Sequence, residues 1–421
     1  MSSFRVSGLS GKPLLEGDVY IDGAKNAALP LMAASVLMPG EVVLNNVPDI
    51  ADVGAMRDLI EGLGGFTSYK DSVCSIRAEK ATGAVLLGDV AKRLRASVLL
   101  LGSVLARNGS VVFPHPGGCV LGSRPIDLFL DGFSRLGCTI TEQEETTTIT
   151  AKEGLSGGVI FFKVVSVTAT ETFMIAATQA AHPVVLKNCA MEPEIVALGE
   201  FLQAAGARLE GVGTPTITIY PSVFELPRVE ATIIPDRIET GSFLILGALL
   251  GRDMRIHSTE PAHNEALLAA LEEMGVRVRI DGTSLHIKKP ETLRAISVRT
   301  HEYPGFPTDL QAPLALLMTQ ATGESSILET VFDGRLNYLN DIQTMGAEVH
   351  VWNPHKATIK GPTPLKAKNI DGPDIRAGLA FLLAAAVADG TSIVGNAHLI
   401  DRGYASIEKK MGNLGLSIER I

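Results

Sequence analysis

The sequence predicts an α/β protein assembled inside out, from six similar modules in two sets of three. Three observations carry this expectation. A hydrophobe–Gly or Ala–Gly pair closes a helical pattern at Gly64, Gly137, Gly206, Gly275, Gly346 and Gly415, a period of roughly seventy residues, which is the mark of a repeat architecture. A turn followed by a short apolar strand recurs upstream of each, as in Gly40-Glu41-Val42-Val43-Leu44, Gly109-Ser110-Val111-Val112-Phe113, Pro183-Val184-Val185-Leu186, Asp253-Met254-Arg255-Ile256, Gly323-Glu324-Ser325-Ser326-Ile327 and Gly390-Thr391-Ser392-Ile393-Val394. A helix of roughly fifteen residues precedes each of these strands, and two of them, 27–38 and 377–388, are apolar nearly all round. A helix without a polar face must be buried.

Each element of the module follows. The repeating glycines fit a left-handed helix cap followed by a strand. The second helix of each module is amphipathic, with stripes such as Met56, Leu59, Ile60 and Leu63, or Leu267, Leu271 and Met274. A module therefore reads strand, buried helix, strand, amphipathic helix, two strands. The proline-bearing stretch 221–235 marks the break between the two sets.

Composition narrows the function. The chain has 421 residues, 46% hydrophobic and 20% charged, enough for a large folded core rather than disorder. A net charge of −9 argues against general nucleic-acid or anionic-membrane binding, so an anionic ligand needs a local basic cluster. The four cysteines, Cys74, Cys119, Cys138 and Cys189, lack metal-type spacing and fit a reducing compartment. The start has no apolar signal core, and the longest apolar runs, near 243–250 and 379–388, are too short for a bilayer. A soluble, cytoplasmic protein is expected. No Walker loop, dinucleotide fingerprint or zinc signature occurs, and the nine histidines form no ligand pair. Neither metal nor cofactor is expected, nor an obligate protein partner.

Aligning the modules places Lys25-Asn26, Leu94-Arg95, Val167-Thr168, Arg237-Ile238, Thr308-Asp309 and Ile375-Arg376 at the starts of the buried helices, with Ser166, Asp236, Thr308 and Asp374 near the caps. Such ends present unpaired amides and a partial positive charge, the makings of an anion site. Lys25, Arg95 and Arg376 oppose the helix dipole there, so each is expected to have an anionic partner. The following loop carries Arg124, Arg335 and Arg402 in modules two, five and six, and Glu192 and Glu194 in module three. In module two this loop, Pro116-Gly117-Gly118-Cys119-Val120-Leu121-Gly122-Ser123-Arg124-Pro125-Ile126-Asp127, is about four residues longer than its counterpart in module one, and an added excursion on a repeat scaffold is more often functional than structural. Two readings stay open: a turn around a buried cysteine, or a reactive thiol on a mobile lid hinged at Gly117, Gly118 and Gly122. With the carboxylate of Asp309, the inventory suggests a metal-free transferase that handles a small polyanion by acid–base catalysis.

Six motifs make a resemblance specific: Asp22-Gly23-Ala24-Lys25-Asn26-Ala27-Ala28-Leu29-Pro30, Arg95-Ala96-Ser97, the Cys119 loop through Asp127, Pro235-Asp236-Arg237-Ile238-Glu239-Thr240-Gly241, Phe306-Pro307-Thr308-Asp309, and Ile400-Asp401-Arg402-Gly403-Tyr404. In this order and in register with the repeat, they resemble the UDP-N-acetylglucosamine 1-carboxyvinyltransferases, within the enolpyruvyl transferases, over the whole chain. The resemblance implies two inside-out α/β barrel domains of three βαβαββ units each, one spanning 22–234 and the other 1–21 plus 235–421, with the active site in the cleft between them. It implies transfer of the enolpyruvyl group of phosphoenolpyruvate to the 3′-hydroxyl of UDP-N-acetylglucosamine, with release of phosphate, in peptidoglycan synthesis. Cys119 would protonate the methylene carbon of phosphoenolpyruvate, could carry a phospholactoyl adduct, and would be alkylated by the epoxide fosfomycin. Asp309 matches the base for the hydroxyl.

The resemblance also assigns the binding residues. Lys25, Arg124 and Arg402 match ligands of the donor phosphate, with Lys25 and Arg402 in the catalytic set. Asn26, Arg335 and Arg376 complete the phosphoenolpyruvate site. The nucleotide sugar would be held by Asn26, Arg95, Arg124, Pro125, Ile126, Asp127, Leu128, Ser166, Val167, Asp309 and Val331. Substrate-driven closure would fold the Cys119 loop over that sugar. Two departures bear on the diphosphate contacts: Val164 stands where a lysine is common, with Lys163 one residue earlier, and Thr168 stands where a glycine often follows the valine. The rival readings are a 3-phosphoshikimate 1-carboxyvinyltransferase, with the same fold and donor, and a non-catalytic repeat scaffold for protein partners.

Overall fold

The computed structural model of the chain describes residues 2–86, 95–114 and 126–421. All six module glycines take a left-handed backbone, with φ between 87° and 110°, a region open to glycine at little cost. The buried helices are Lys25–Ser35, Leu99–Asn108 and Val167–Ala177 in the first set, and Arg237–Leu250, Gln311–Met318 and Ile375–Val387 in the second. Within each set the three pack against one another, so their apolar circumference is covered by helix as well as by sheet. The amphipathic helices Ala51–Gly62, Asp127–Arg135, Pro193–Ala204, Glu265–Glu273, Leu339–Thr344 and Ile407–Asn413 follow in turn. In modules two and five the buried helix opens with a 3-10 turn, Arg95–Val98 and Thr308–Leu310, before the α-helix begins at Leu99 and Gln311.

The strands form six separate sheets, five of four strands and one of three, and none closes on itself among the described residues. Module three shows the common order. Gly158–Phe161 runs parallel to Val184–Lys187 across the buried helix, and Val184–Lys187 pairs antiparallel with Thr216–Ile219, which pairs with Leu209–Glu210. In the three-stranded sheet of module two the parallel neighbour is, among the described residues, a single bridge between Val85 and Val112.

Three strands explain the division of the chain. Phe4–Ser7 pairs antiparallel with both Thr391–Gly395 and Ser417–Arg420, and so completes the sheet of module six. Leu15–Tyr20 is the parallel neighbour of Gly251–His257 in module four. Arg228–Thr232 plays the same part for Glu41–Asn45 in module one. Among the described residues two compact units result: residues 23–86, 95–114 and 126–234, and residues 2–22 together with Pro235–Ile421. The first division falls between Asp22 and Gly23, one residue later than the sequence suggests, and Asp22 stays with the second unit through its backbone bonds to Asp236 and Glu239. Among the described residues no helix is long and apolar enough to cross a membrane.

Candidate active site

In the second unit three expected residues meet. Asp309 lies in the 3-10 turn ahead of Gln311–Met318, Arg376 in the first turn of Ile375–Val387, and Arg335 in the turn region beyond the strand Gly323–Leu328. Arg335 donates to Oδ1 of Asp309 at 2.8 Å and Arg376 to Oδ2 at 2.7 Å. Both guanidinium side chains are more than nine-tenths buried, whereas a quarter of the Asp309 side chain is exposed. Burial alone would raise the proton affinity of Asp309, but Arg376 and Arg335 outweigh it and hold the carboxyl well below the usual range. A carboxylate so held accepts hydrogen bonds readily but is a poor proton acceptor until a guanidinium moves away.

Arg376 has further support. Its Nη1 donates to the hydroxyl of Tyr404 at 3.1 Å, and that hydroxyl lies 3.2 Å from Oγ of Ser242. Burial raises the Tyr404 hydroxyl above its ordinary proton affinity, with Arg376 pulling the other way, so it stays a neutral donor and acceptor. Asp374 caps the same helix through the amides of Arg376 and Ala377, at 2.7 and 3.1 Å. The cation expected to need an anion at this helix start therefore has Asp309 beside it and Asp374 beneath its amides.

The remaining caps divide. Asp236 accepts from the amides of Ile238 and Glu239, and Ser166 from that of Ala169 at 3.3 Å. Thr308 does not cap. It is the first residue of the 3-10 turn, and its hydroxyl donates to Oε2 of Glu329 at 2.9 Å. The other oxygen of Glu329 accepts from the amides of Val331 and Phe332, at 2.9 and 3.1 Å. Arg402 sits half-buried in the turn after Ala397–Ile400.

In the first unit, Lys25 opens the first buried helix and pairs with Asp52 at 2.7 Å, both side chains largely buried. This is the anionic partner expected for the second such cation. Asn26 follows it, half-buried. Val167 is the first residue of its helix, while Lys163 and Val164 upstream are exposed. Ile126 is the cap position of Asp127–Arg135, with Asp127 exposed and Leu128 half-buried. Arg95 opens its 3-10 turn. Cys119, Arg124 and Pro125, with the loop that carries them, lie outside the described residues.

Sequence reasoning passed over several buried polar groups. Glu171 is 2% exposed, and its Oε1 has no hydrogen-bond partner among the described residues. Burial, with Glu194 and Glu192 nearby, pushes its carboxyl well above the ordinary range. A lone glutamate inside an apolar helix carries no signal of this. Tyr404 stands inside a quoted motif but had no role, and Glu329 had no signal at all. Cys74, Cys138 and Cys189 are buried, and burial pushes their thiols up to about 11, 11 and 12. Thiols of that kind are inert at neutral pH.

Two sets of three α/β modules with enclosed helices, and guanidinium groups gathered at the helix starts and following loops, define the class of the enolpyruvyl (carboxyvinyl) transferases. A family described as EPSP synthase (3-phosphoshikimate 1-carboxyvinyltransferase) matches residues 10–411, and the chain belongs to that family. Among its relatives, the UDP-N-acetylglucosamine 1-carboxyvinyltransferase of Koribacter versatilis (strain Ellin345) is 40% identical over 428 residues, covering 100% of this chain and 97% of that protein. UDP-N-acetylglucosamine 1-carboxyvinyltransferase 2 of Bacillus subtilis (strain 168) is 39% identical over 414 residues, covering 98% and 96%. Among solved structures, the enolpyruvyl transferase NikO from Streptomyces tendae matches with a TM-score of 0.88 at 23% identity, over 100% of this chain and 98% of that one. An EPSP synthase from Acinetobacter baumannii matches with a TM-score of 0.74 at 18% identity, over all of both chains. At those identities the structures speak for the fold.

Proposed function

We propose that the protein transfers the enolpyruvyl group of phosphoenolpyruvate to the 3′-hydroxyl of UDP-N-acetylglucosamine, releasing phosphate, as a cytoplasmic enzyme of peptidoglycan synthesis. The observation that carries this reading is the end-to-end likeness, at 40% identity, to a protein of that name. The geometry supports it: two buried guanidinium groups flank one partly exposed carboxylate, which suits an anionic donor set beside a hydroxyl acceptor.

In this reading Cys119 gives a proton to the methylene carbon of phosphoenolpyruvate. The neighbouring carbon gains oxocarbenium character and bonds to the 3′-oxygen, whose proton leaves toward Asp309. The tetrahedral ketal then loses a methyl proton, taken up by the Cys119 thiolate left from the first step, and phosphate, which restores the vinyl group on the new ether. Lys25, Arg124 and Arg402 hold the donor phosphate, with Asn26, Arg335 and Arg376 around the rest of the donor. Arg95, Ile126, Asp127, Leu128, Ser166, Val167 and Val331 serve the nucleotide sugar, with Arg124 and Pro125 from the long loop. Asp309, held at low proton affinity by its two arginines, orients the hydroxyl first and takes its proton only as a guanidinium shifts toward substrate.

The test is phosphate release from phosphoenolpyruvate with UDP-N-acetylglucosamine, and separately with 3-phosphoshikimate, for wild type and Cys119→Ser. Turnover with the nucleotide sugar, with an enolpyruvyl ether identified by mass and loss of turnover in the variant, is expected. Turnover with 3-phosphoshikimate alone would move the assignment to the other branch of the family.

A further inference from the structure

Glu329 is fully buried just past the end of the strand Gly323–Leu328. A buried carboxylate is costly unless its oxygens are satisfied, and this one is satisfied by two separate segments. Oε2 takes the hydroxyl of Thr308, next in chain to Asp309, and Oε1 takes the amides of Val331 and Phe332. The backbone of Glu329 is itself clamped: its amide donates to the carbonyl of His355 at 2.7 Å, and its carbonyl lies 3.0 Å from Nδ1 of His355. The ring of Phe332 lies 5.2 Å from the guanidinium carbon of Arg335, and Arg335 returns to Asp309 at 2.8 Å. The contacts form a closed ring from Glu329 through Thr308 to Asp309, then through Arg335 and Phe332 back to Glu329.

We propose that Glu329 is a positioning residue, which sets the Asp309 carboxylate and the Val331–Arg335 turn at a fixed separation. The inference rests on the proposed function, in which Asp309 orients the acceptor hydroxyl and Arg335 faces the donor. Such a residue acts on the approach of the two substrates, so its loss lowers kcat. Donor binding changes less than turnover, because Lys25, Arg124 and Arg402, which hold the donor phosphate in the proposed function, lie on other segments than the Arg335 turn. A carboxamide of the same shape can accept both amide bonds through its oxygen and place its NH2 against the Thr308 oxygen, so charge is not what the role requires.

The experiment measures kcat and both KM values for wild type, Glu329→Ala, Glu329→Gln and Thr308→Val, each checked for folding by its melting curve. Glu329→Ala is expected to lose about ten- to a hundredfold in kcat, the scale of an ångström misplacement, with KM for phosphoenolpyruvate within about threefold. Glu329→Gln is expected to restore kcat to within about threefold. Thr308→Val removes one donor at constant volume and tests the ring even where Glu329→Ala fails to fold; a several-fold loss of kcat is expected in a folded protein whose melting temperature is lowered by the unsatisfied Oε2 of Glu329. An active wild type with an unaltered kcat in Thr308→Val, or a Glu329→Gln variant that is folded but fails to regain kcat, overturns the role alone. A folded wild type inert toward both substrates overturns the proposed function and takes this role with it.

Discussion

Asp309→Asn keeps the shape of the side chain and removes its charge. The structure sets the cost. Arg335 and Arg376 keep only 5% and 8% of their side chains exposed, so the variant leaves two buried cations without their shared counter-ion. Breaking a buried ion pair costs about 3–5 kcal/mol. The quarter of Asp309 that faces water screens the site and places the expected loss near the lower end, about 3 kcal/mol. For a unit of some two hundred residues this corresponds to a melting shift of about 6–12 °C. The pH dependence provides the sharper check. The folded carboxyl lies below its ordinary range, while in the unfolded chain it titrates near about 3.9. The unfolded state therefore binds more protons between these values, and the stabilisation is complete above about pH 4–5 and lost as pH falls. The gap between wild type and variant should narrow by about 1 kcal/mol for each pH unit below about 4. Apparent melting temperatures from pH 3 to 7 measure it. A variant as stable as wild type at pH 7, or a gap of the same size at pH 3, would refute the reasoning.

Three further outcomes are expected. Burial pushes Glu239 up to about 7, with Lys410 opposing and Asp22 reinforcing the shift. The native state thus binds more protons than the unfolded chain between about pH 4.5 and 7, so stability falls as pH rises through that window. Wild type should lose melting temperature relative to Glu239→Gln from pH 5 to 7.5, and a gain would contradict the assignment. A Cβ on Gly102 would stand 2.4 Å from the carbonyl oxygen of Thr172, so Gly102→Ala must part the helices Leu99–Asn108 and Val167–Ala177, at about 1–3 kcal/mol by denaturant titration; an unchanged midpoint would deny the close approach. Fosfomycin or iodoacetamide should place one adduct on the native protein, on Cys119 by peptide mapping, since Cys74, Cys138 and Cys189 are buried with thiols held at about 11 to 12. Native-state modification of any of those three would count against the buried-thiol account.

The modules were legible because their signals are local. A glycine that must adopt positive φ, as at Gly206 or Gly346, and a helix apolar on every side, as in Ile375–Val387, are written within a few neighbouring residues. The electrostatic rule that a cation at a helix start needs an anion picked out Lys25 and Arg376. It could not say which anion: Asp52 and Asp309 lie 27 residues later and 67 residues earlier in the chain, and only packing brings them within 3 Å. The same limit hid Glu329, whose meaning is a ring of contacts between two distant segments, 308–309 and 329–335, and Glu171, whose burial no flanking residue announces. It also governs the strands: nothing in Phe4–Ser7 says that it will lie between Thr391–Gly395 and Ser417–Arg420. Backbone preference and periodicity belong to adjacent residues and survive reading in one dimension. Ion pairs, buried carboxylates and sheet partners depend on which distant segments exclude water together, and that is decided only when the chain has closed on itself.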